Sequence, residues 1–308
     1  MSKITSIGGQ ALIEGIMMLG PNKISAAFSS ENGEISVEDI EFHFMREKYP
    51  VLKLPFIRGV FNFVDTMRLS MKAMSMASDK IEIEESESKF EKWIEKNFGD
   101  KLMKVILALG AILGFAISLL LFVYLPILAF SGISMLVSSD INAYRSLTEG
   151  IIRMAIFILY VYLISLIPDI KRVFMYHGAE HKTIFCYENE LPLTVENVRI
   201  QKRLHPRCGT SFLVIMIVLG IIVGLFIPFT NPIIRTLAKV ITIPLVISLG
   251  YELIKLCGKH NNIFTKIIAT PGMWVQKITT KEPDDKMIET AIAAMQSVIP
   301  ENDEDIIK

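Results

Sequence analysis

Residues 176–188 read YHGAEHKTIFCYE and bring two of the five histidines, a carboxylate and a cysteine together directly after an apolar run. His177 and His181 are four apart, so on a helix both imidazoles project from one face and can meet one cation. The order His, two residues, Glu, His is that of inverted zinc peptidases, in which the carboxylate is the base that activates water at the metal. That catalytic role falls here to Glu180. Gly178 opposes the helix by about 1 kcal/mol relative to Ala, unless a close approach of backbone or ligand requires it.

A second cluster, HPRCGTSF at residues 205–212, supplies His205 and Cys208, and YELIK further on supplies Glu252. With His177 and His181 these make the candidate ligand set for zinc or another divalent metal. The competing expectation is that His205 and Arg207 hold lipid headgroups, Cys208 packs as a small hydrophobe, and Glu252 pairs with Lys255 or an arginine. Arg199, with Arg203 and Arg207, can likewise receive a phosphate. Glu14 stands among apolar neighbours in ALIEGIMM, where an unpaired charge is costly, so it is expected to pair with an arginine such as Arg58 rather than to bind metal.

The elements that must position these residues follow from hydropathy. A hydrophobic content of 51% over 308 residues points to a membrane protein, and 32 basic against 32 acidic residues give no net attraction to nucleic acid. The N-terminal stretch, interrupted by Gly8, Gly9, Gln10 and Glu14, suits a short strand or turn better than the apolar core of a secretory signal. Four spans are expected, at about 105–130, 150–168, 212–229 and 233–257; Lys239 and Glu252 make the last the weakest, and a re-entrant or interfacial helix is its alternative. Lys171, Arg172, Lys182, Arg199, Lys202, Arg203 and Arg207 fall in one connection and Arg145 in the other, which places the basic connection and both termini in the cytoplasm. Cys186, Cys208 and Cys257 then lie on the reducing side, which disfavours disulfides.

Outside the spans, Asn32 and Gly33 suit a hairpin turn between strands at about 23–30 and 34–42. Residues 55–81 place Phe56, Val60, Phe63, Met67, Met71 and Met74 at helical spacing, as a packing stripe. The acidic stretch 82–91 reads as a solvated face or linker. Thr194 suits a helix N-cap, and Thr279 with Glu282 suits a capping box that opens a terminal helix whose apolar face is Ile288, Ala291, Ile292, Met295 and Ile299. The expected organisation is therefore an N-terminal cytoplasmic α+β segment (1–103), a helix pair (104–168), a cytoplasmic His/Cys segment (169–211), a second pair (212–257) and a C-terminal cytoplasmic segment (258–308).

The stretches GGQALIEGIMMLGP, RGVFNFVDTMRLSMKAM, YHGAEHKTIFCYE, LTVENVRIQKRLHPRCGTSF and PGMWVQKITTKEPDD resemble successive signature blocks of the YqhQ-like family of bacterial multi-pass membrane proteins. That family is a domain of unknown function whose members are sometimes described as predicted metal-dependent enzymes. The resemblance spans nearly the whole chain. It implies that Glu14, Arg58, His177, Glu180, His181, Glu196, Asn197, Arg199, His205, Arg207, Cys208 and Glu252 are family-type positions. The soluble α/β repeats of true inverted zinc peptidases are missing, so the motif does not carry peptidase activity with it.

The sequence thus predicts an α-helical multi-pass protein of the cell membrane, with about four transmembrane helices and a cytoplasmic α+β portion that includes a small antiparallel hairpin or sheet. Its expected activity is metal-dependent hydrolysis of a lipid-linked, peptide or phosphate substrate, with membrane lipids as partners. The alternative is a non-catalytic scaffold or transport component in which His177, His181, His205 and Cys208 close a structural zinc site.

Overall fold

The computed structural model describes residues 3–30, 32–84, 105–106, 108–137, 141–259 and 262–306. Strands β1 (Gly8–Leu12), β2 (Gly15–Leu19), β3 (Ile24–Ser29) and β4 (Ile35–Asp39) are followed by helices α1 (Met45–Lys48), α2 (Ile57–Glu84), α3 (Ala108–Leu136), α4 (Arg145–Ile164) and α5 (Pro168–Glu188). Helices α6 (Val195–Arg199), α7 (Gly209–Leu225), α8 (Pro232–Lys259), α9 (Ile263–Thr279) and α10 (Asp285–Val298) complete the order. The chain divides into one unit of Met1–Ile81, Val161–Ile215 and Ile247–Lys308, and a second of Glu82–Tyr160 and Met216–Val246.

The first unit is built on an antiparallel meander in the order β1-β2-β3-β4. The expected hairpin is present as β3 and β4, with Ser29 opposite Ile35, and two further strands precede it. Both faces of the sheet are covered. Ile16, Met18 and Ala27 pack with Tyr176 and Ala179 of α5 and with Met287, Ala291 and Met295 of α10. Met17, Ile24, Ala26 and Phe28 face the other way, against Leu69, Ala73 and Ala77 of α2. The short strand or turn expected in the N-terminal stretch is the β1–β2 hairpin, and burial on both faces of the sheet is why GIMML lacks polar alternation.

The same packing corrects the expected Met stripe. Helix α2 buries Leu69, Ala73 and Ala77, spaced by four, while Met67 and Met71 are 45% and 74% exposed. The N-cap of α10 is Asp284, whose carboxylate accepts Met287 N–H at 2.8 Å, and not Thr279, which ends the unanticipated α9. Thr194 caps α6 as expected, accepting Asn197 N–H at 3.3 Å. Of the acidic stretch 82–91, residues 85–91 lie outside the described residues.

Among the described residues three helices are long and apolar enough to cross a membrane: Ala108–Leu136, Asn142–Ile164 and Pro232–Cys257. The span expected at 212–229 is instead the 17-residue α7, roughly 25 Å of helix and so at the lower limit for a bilayer core, whereas the expected weakest span is among the long ones. Only 11, 17 and 22% of the most apolar windows of the three long helices is buried, leaving the kind of surface that lipid covers and water does not. This is consistent with membrane association.

Candidate metal centre

A turn at Ser165–Ile167 ends α4, and Pro168 opens α5, where its missing N–H costs nothing. The helix then runs unbroken through His177, Glu180 and His181, so the four-residue spacing does place both imidazoles on one face; their ring centroids are 4.3 Å apart. Gly178 is required where it stands. A Cβ there would lie 2.0 Å from the carbonyl oxygen of Lys281, because the segment leading into α10 crosses α5 at that residue and donates Lys281 N–H to Phe174 O at 2.8 Å.

Cys208 joins the pair from the turn before α7. His177 Nε2 lies 3.1 Å from Cys208 Sγ, and the ligand atoms of His177, His181 and Cys208 all fall within 4.8 Å of one another. In a tetrahedral zinc site, bond lengths of about 2.1 and 2.3 Å put neighbouring ligand atoms roughly 3.5 Å apart, so a contraction of about an ångström would close this group on a metal. The outer nitrogens of both rings are already committed. His177 Nδ1 is bonded to Thr279 O at 2.8 Å and His181 Nδ1 to Arg203 O at 2.5 Å. A carbonyl accepts, so each Nδ1 carries the proton and each Nε2 presents its lone pair to the cluster. His181 Nε2 is buried there without a hydrogen-bond partner.

Electrostatics sharpen the arrangement. Burial pushes Cys208 upward, but a protonated His181 ring beside it, with the Thr210 hydroxyl and N–H, outweighs that and holds the thiol below its usual range, toward the thiolate a metal needs. Burial lowers His181, with the neighbouring Cys208 opposing the fall. Glu180 is pushed up to about 7 by burial, with the Cys208 charge adding to the rise and His177 and the N–H groups of Gly9 and Ala11 opposing it. Its Oε2 has no hydrogen-bond partner. Strand β1 presses on it so closely that a Cβ at Gly9 would meet Glu180 Cδ at 2.9 Å.

The other expected site residues go elsewhere. His205 stacks beside His181 at 5.6 Å, but its Nε2 faces Glu188 Oε2 at 3.6 Å and its Nδ1 accepts Arg207 N–H at 3.3 Å, so it braces the cluster instead of completing it. Glu252 is held by Arg58 through Nε at 2.7 Å and Nη2 at 2.5 Å and stands outside the ligand group. Glu14 pairs with Arg172, not Arg58, at 2.5 and 2.6 Å, and takes the Tyr176 hydroxyl at 3.1 Å. It does so from a left-handed backbone, φ 49°, a strained conformation for a residue with a Cβ. Arg199 binds Asp285 at 2.7 Å, Arg207 contacts Glu188, and Arg203 faces Glu282 at 3.7 Å, a carboxylate that Lys182 holds at 2.7 Å, so each of the three faces an acidic residue of the chain.

Sequence reasoning passed over two supports. Gln276, fully buried on α9, accepts His205 N–H and donates to His205 O, both at 2.8 Å. Glu188 closes the α5 segment and accepts Thr5 N–H at 3.0 Å besides Arg207. Both lie inside the motif stretches, yet neither type has a ligand pattern of its own.

These features define a mainly helical protein with helices of membrane-crossing length and a sheet-backed His–Cys group. The chain belongs to the family described as "Protein of unknown function (DUF1385)", whose profile matches residues 54–301. It is 35% identical over 298 residues to the "Uncharacterized protein YqhQ" of Bacillus subtilis (strain 168), covering 95% of this chain and 92% of that one. No solved structure matches the chain.

Proposed function

We propose that this protein is a metal-dependent hydrolase of the cell membrane, with His177, His181 and Cys208 as ligands and Glu180 as general base. The observation that carries the reading is the buried His181 Nε2, which makes no hydrogen bond and has Cys208 Sγ as its neighbour while Nδ1 is tied to Arg203 O. A buried acceptor of this kind is costly unless something fills it, and a divalent cation bound by all three residues would. Three protein ligands leave a fourth position open, as in catalytic and not structural zinc sites.

Bound there, a divalent metal supplies Lewis acidity and lowers the pKa of water. The chain does the rest. Thr279 O and Arg203 O fix the tautomers, Glu180 Oε2 is free to take a proton, and its raised pKa suits it to return that proton to a leaving group near neutral pH. His177 and Cys208 are half-buried whereas Glu180 and His181 are buried, so substrate approaches from the His177–Cys208 side. The basic residues at 171–207 put this site on the cytoplasmic face, with both termini cytoplasmic and membrane lipids around the apolar helices. A lipid-linked, peptide or phosphate substrate fits such a position.

One observation favours a second reading. The 3.1 Å contact of His177 Nε2 with a Cys208 thiol of lowered pKa, with Thr279 O behind the ring, is also the geometry of a thiol nucleophile and its base. Hydrolysis of ester, peptide and phosphoester probes by the full chain separates the two. The metal reading expects activity lost to a chelator, restored by zinc, and absent in Glu180→Gln. Activity that survives chelation but is lost on alkylation of Cys208 would transfer the role to the thiol.

A further inference from the structure

The second unit holds a buried charge cluster that does not balance. Glu149 on α4 is fully buried, and three cations converge on its carboxylate: Arg145 Nε at 2.9 Å, Arg235 Nε at 2.9 and 3.1 Å, and the Lys239 ammonium in hydrogen-bond contact. A fourth, Arg153, lies one turn further along α4 and donates Nε to Phe122 O at 2.7 Å. Phe122 belongs to a π-type turn, Leu120–Tyr124, a departure from α geometry that recurs at functional sites.

The remaining donors of Arg145 and Arg235 go to dipoles and not to charges. Arg235 binds Ile227 O at 2.6 Å and Ser146 Oγ at 2.9 Å, and Arg145 binds Thr230 O at 3.0 Å while its guanidinium lies 5.1 Å from the Phe130 ring centroid. Among the described residues Glu149 is the one carboxylate that forms an ion pair with any of these four cations. Among the described residues several positive charges therefore have no counter-charge, and they lie on helices apolar enough to cross a membrane. Charges so placed are expensive unless paired, and a counter-ion from outside the chain resolves the excess.

We infer that Arg145, Arg153 and Lys239, held in place by Glu149 and Arg235, bind the phosphate group of an anionic ligand. Guanidinium forks with an ammonium match the several oxygens of a phosphate better than a single-point anion. Gly220 lines the approach to Arg153, where a Cβ would stand in ordinary contact with Nη1 at 3.4 Å. The phosphate comes from a phospholipid headgroup or from a soluble phosphate; the binding chemistry is shared.

The test is native mass spectrometry of the full chain in detergent, titrated with phosphatidylglycerol, with phosphatidylcholine as the zwitterionic comparison and with excess inorganic phosphate as competitor. Wild-type protein should retain phosphatidylglycerol over phosphatidylcholine, and Arg153→Gln should weaken retention about tenfold, the loss of one charge-assisted contact. Arg153→Lys, which keeps the charge and loses the fork, should fall between, and remains informative if Arg153→Gln does not fold. The exposed Arg46→Gln should match wild type. Insensitivity to inorganic phosphate assigns the site to a headgroup; competition by it assigns the site to soluble phosphate. Equal retention of both lipids by wild type, with no effect of either Arg153 variant and no phosphate bound, overturns the inference. The readout is phosphate and not metal, so this site and the His–Cys group stand or fall separately.

Discussion

His177 Nε2 and Cys208 Sγ lie 3.1 Å apart across a sequence separation of 31 residues. The contact exists because α5 turns its histidine face toward the segment before α7, and Gln276 pins that segment by both backbone groups of His205. The ligand geometry therefore depends on residues that touch no ligand atom.

Gln276→Leu tests that dependence. It strands the buried N–H of His205 and leaves its C=O only the Cys208 N–H at 3.4 Å, and should cost about 2 kcal/mol of stability. Metal affinity, read by competition with a chromophoric chelator, should fall roughly tenfold to a hundredfold, as for other losses of outer supports. Unchanged affinity would remove Gln276 from the site.

Gly178→Ala should be among the most damaging single-atom-scale changes in the chain. Its methyl group would overlap Lys281 O, forcing the crossing segment away from α5, at a cost of about 1–3 kcal/mol for overpacking against backbone. Thermal denaturation of the purified protein reads the loss. A midpoint equal to wild type would mean that the crossing is looser than described.

Glu180 gives the metal-free protein a pH signature. Its carboxyl rises from the ordinary 4.5 to about 7 on folding, so the folded state favours the protonated form. The stabilisation is complete below about 4.5 and is lost as pH rises through about 7; the full effect is on the order of 3 kcal/mol. Glu180→Gln stays neutral and should flatten this dependence, raising stability relative to wild type at pH above 7 in chelator. Parallel pH profiles for the two proteins would contradict the desolvated carboxyl of Glu180.

Orientation is read by thiol labelling. A cysteine introduced at Asn189 should resist an impermeant reagent in intact cells, and one at Asn142 should react; both residues are exposed. The reverse pattern would move the His–Cys group to the outer face.

What was legible in the sequence was local. Two histidines four apart report their shared helix face directly, and apolar length reports the three helices long enough to cross a membrane. Glu14 was expected to find Arg58 because both are charged residues in apolar stretches, yet Arg172 reaches it and Arg58 goes to Glu252; such long-range choices leave no local pattern. The Met stripe misled because β2 and β3 are covered on both faces, so α2 meets the sheet through small residues, Ala73 and Ala77, that let it approach. Pro271 inside α9 concealed that helix, and with it the true cap at Asp284 and the support from Gln276.

Metal content is the most direct measurement. Full-length wild-type, Glu180→Gln and His181→Ala proteins are purified without chelators, at a pH above about 6.5 so that the imidazoles are free to bind, and submitted to elemental analysis. Wild type and Glu180→Gln should carry a stoichiometric divalent metal, and His181→Ala should lose it while its helices remain folded by circular dichroism. Wild-type protein without stoichiometric metal would contradict the metal centre and leave His177 and Cys208 as a bare imidazole–thiol pair.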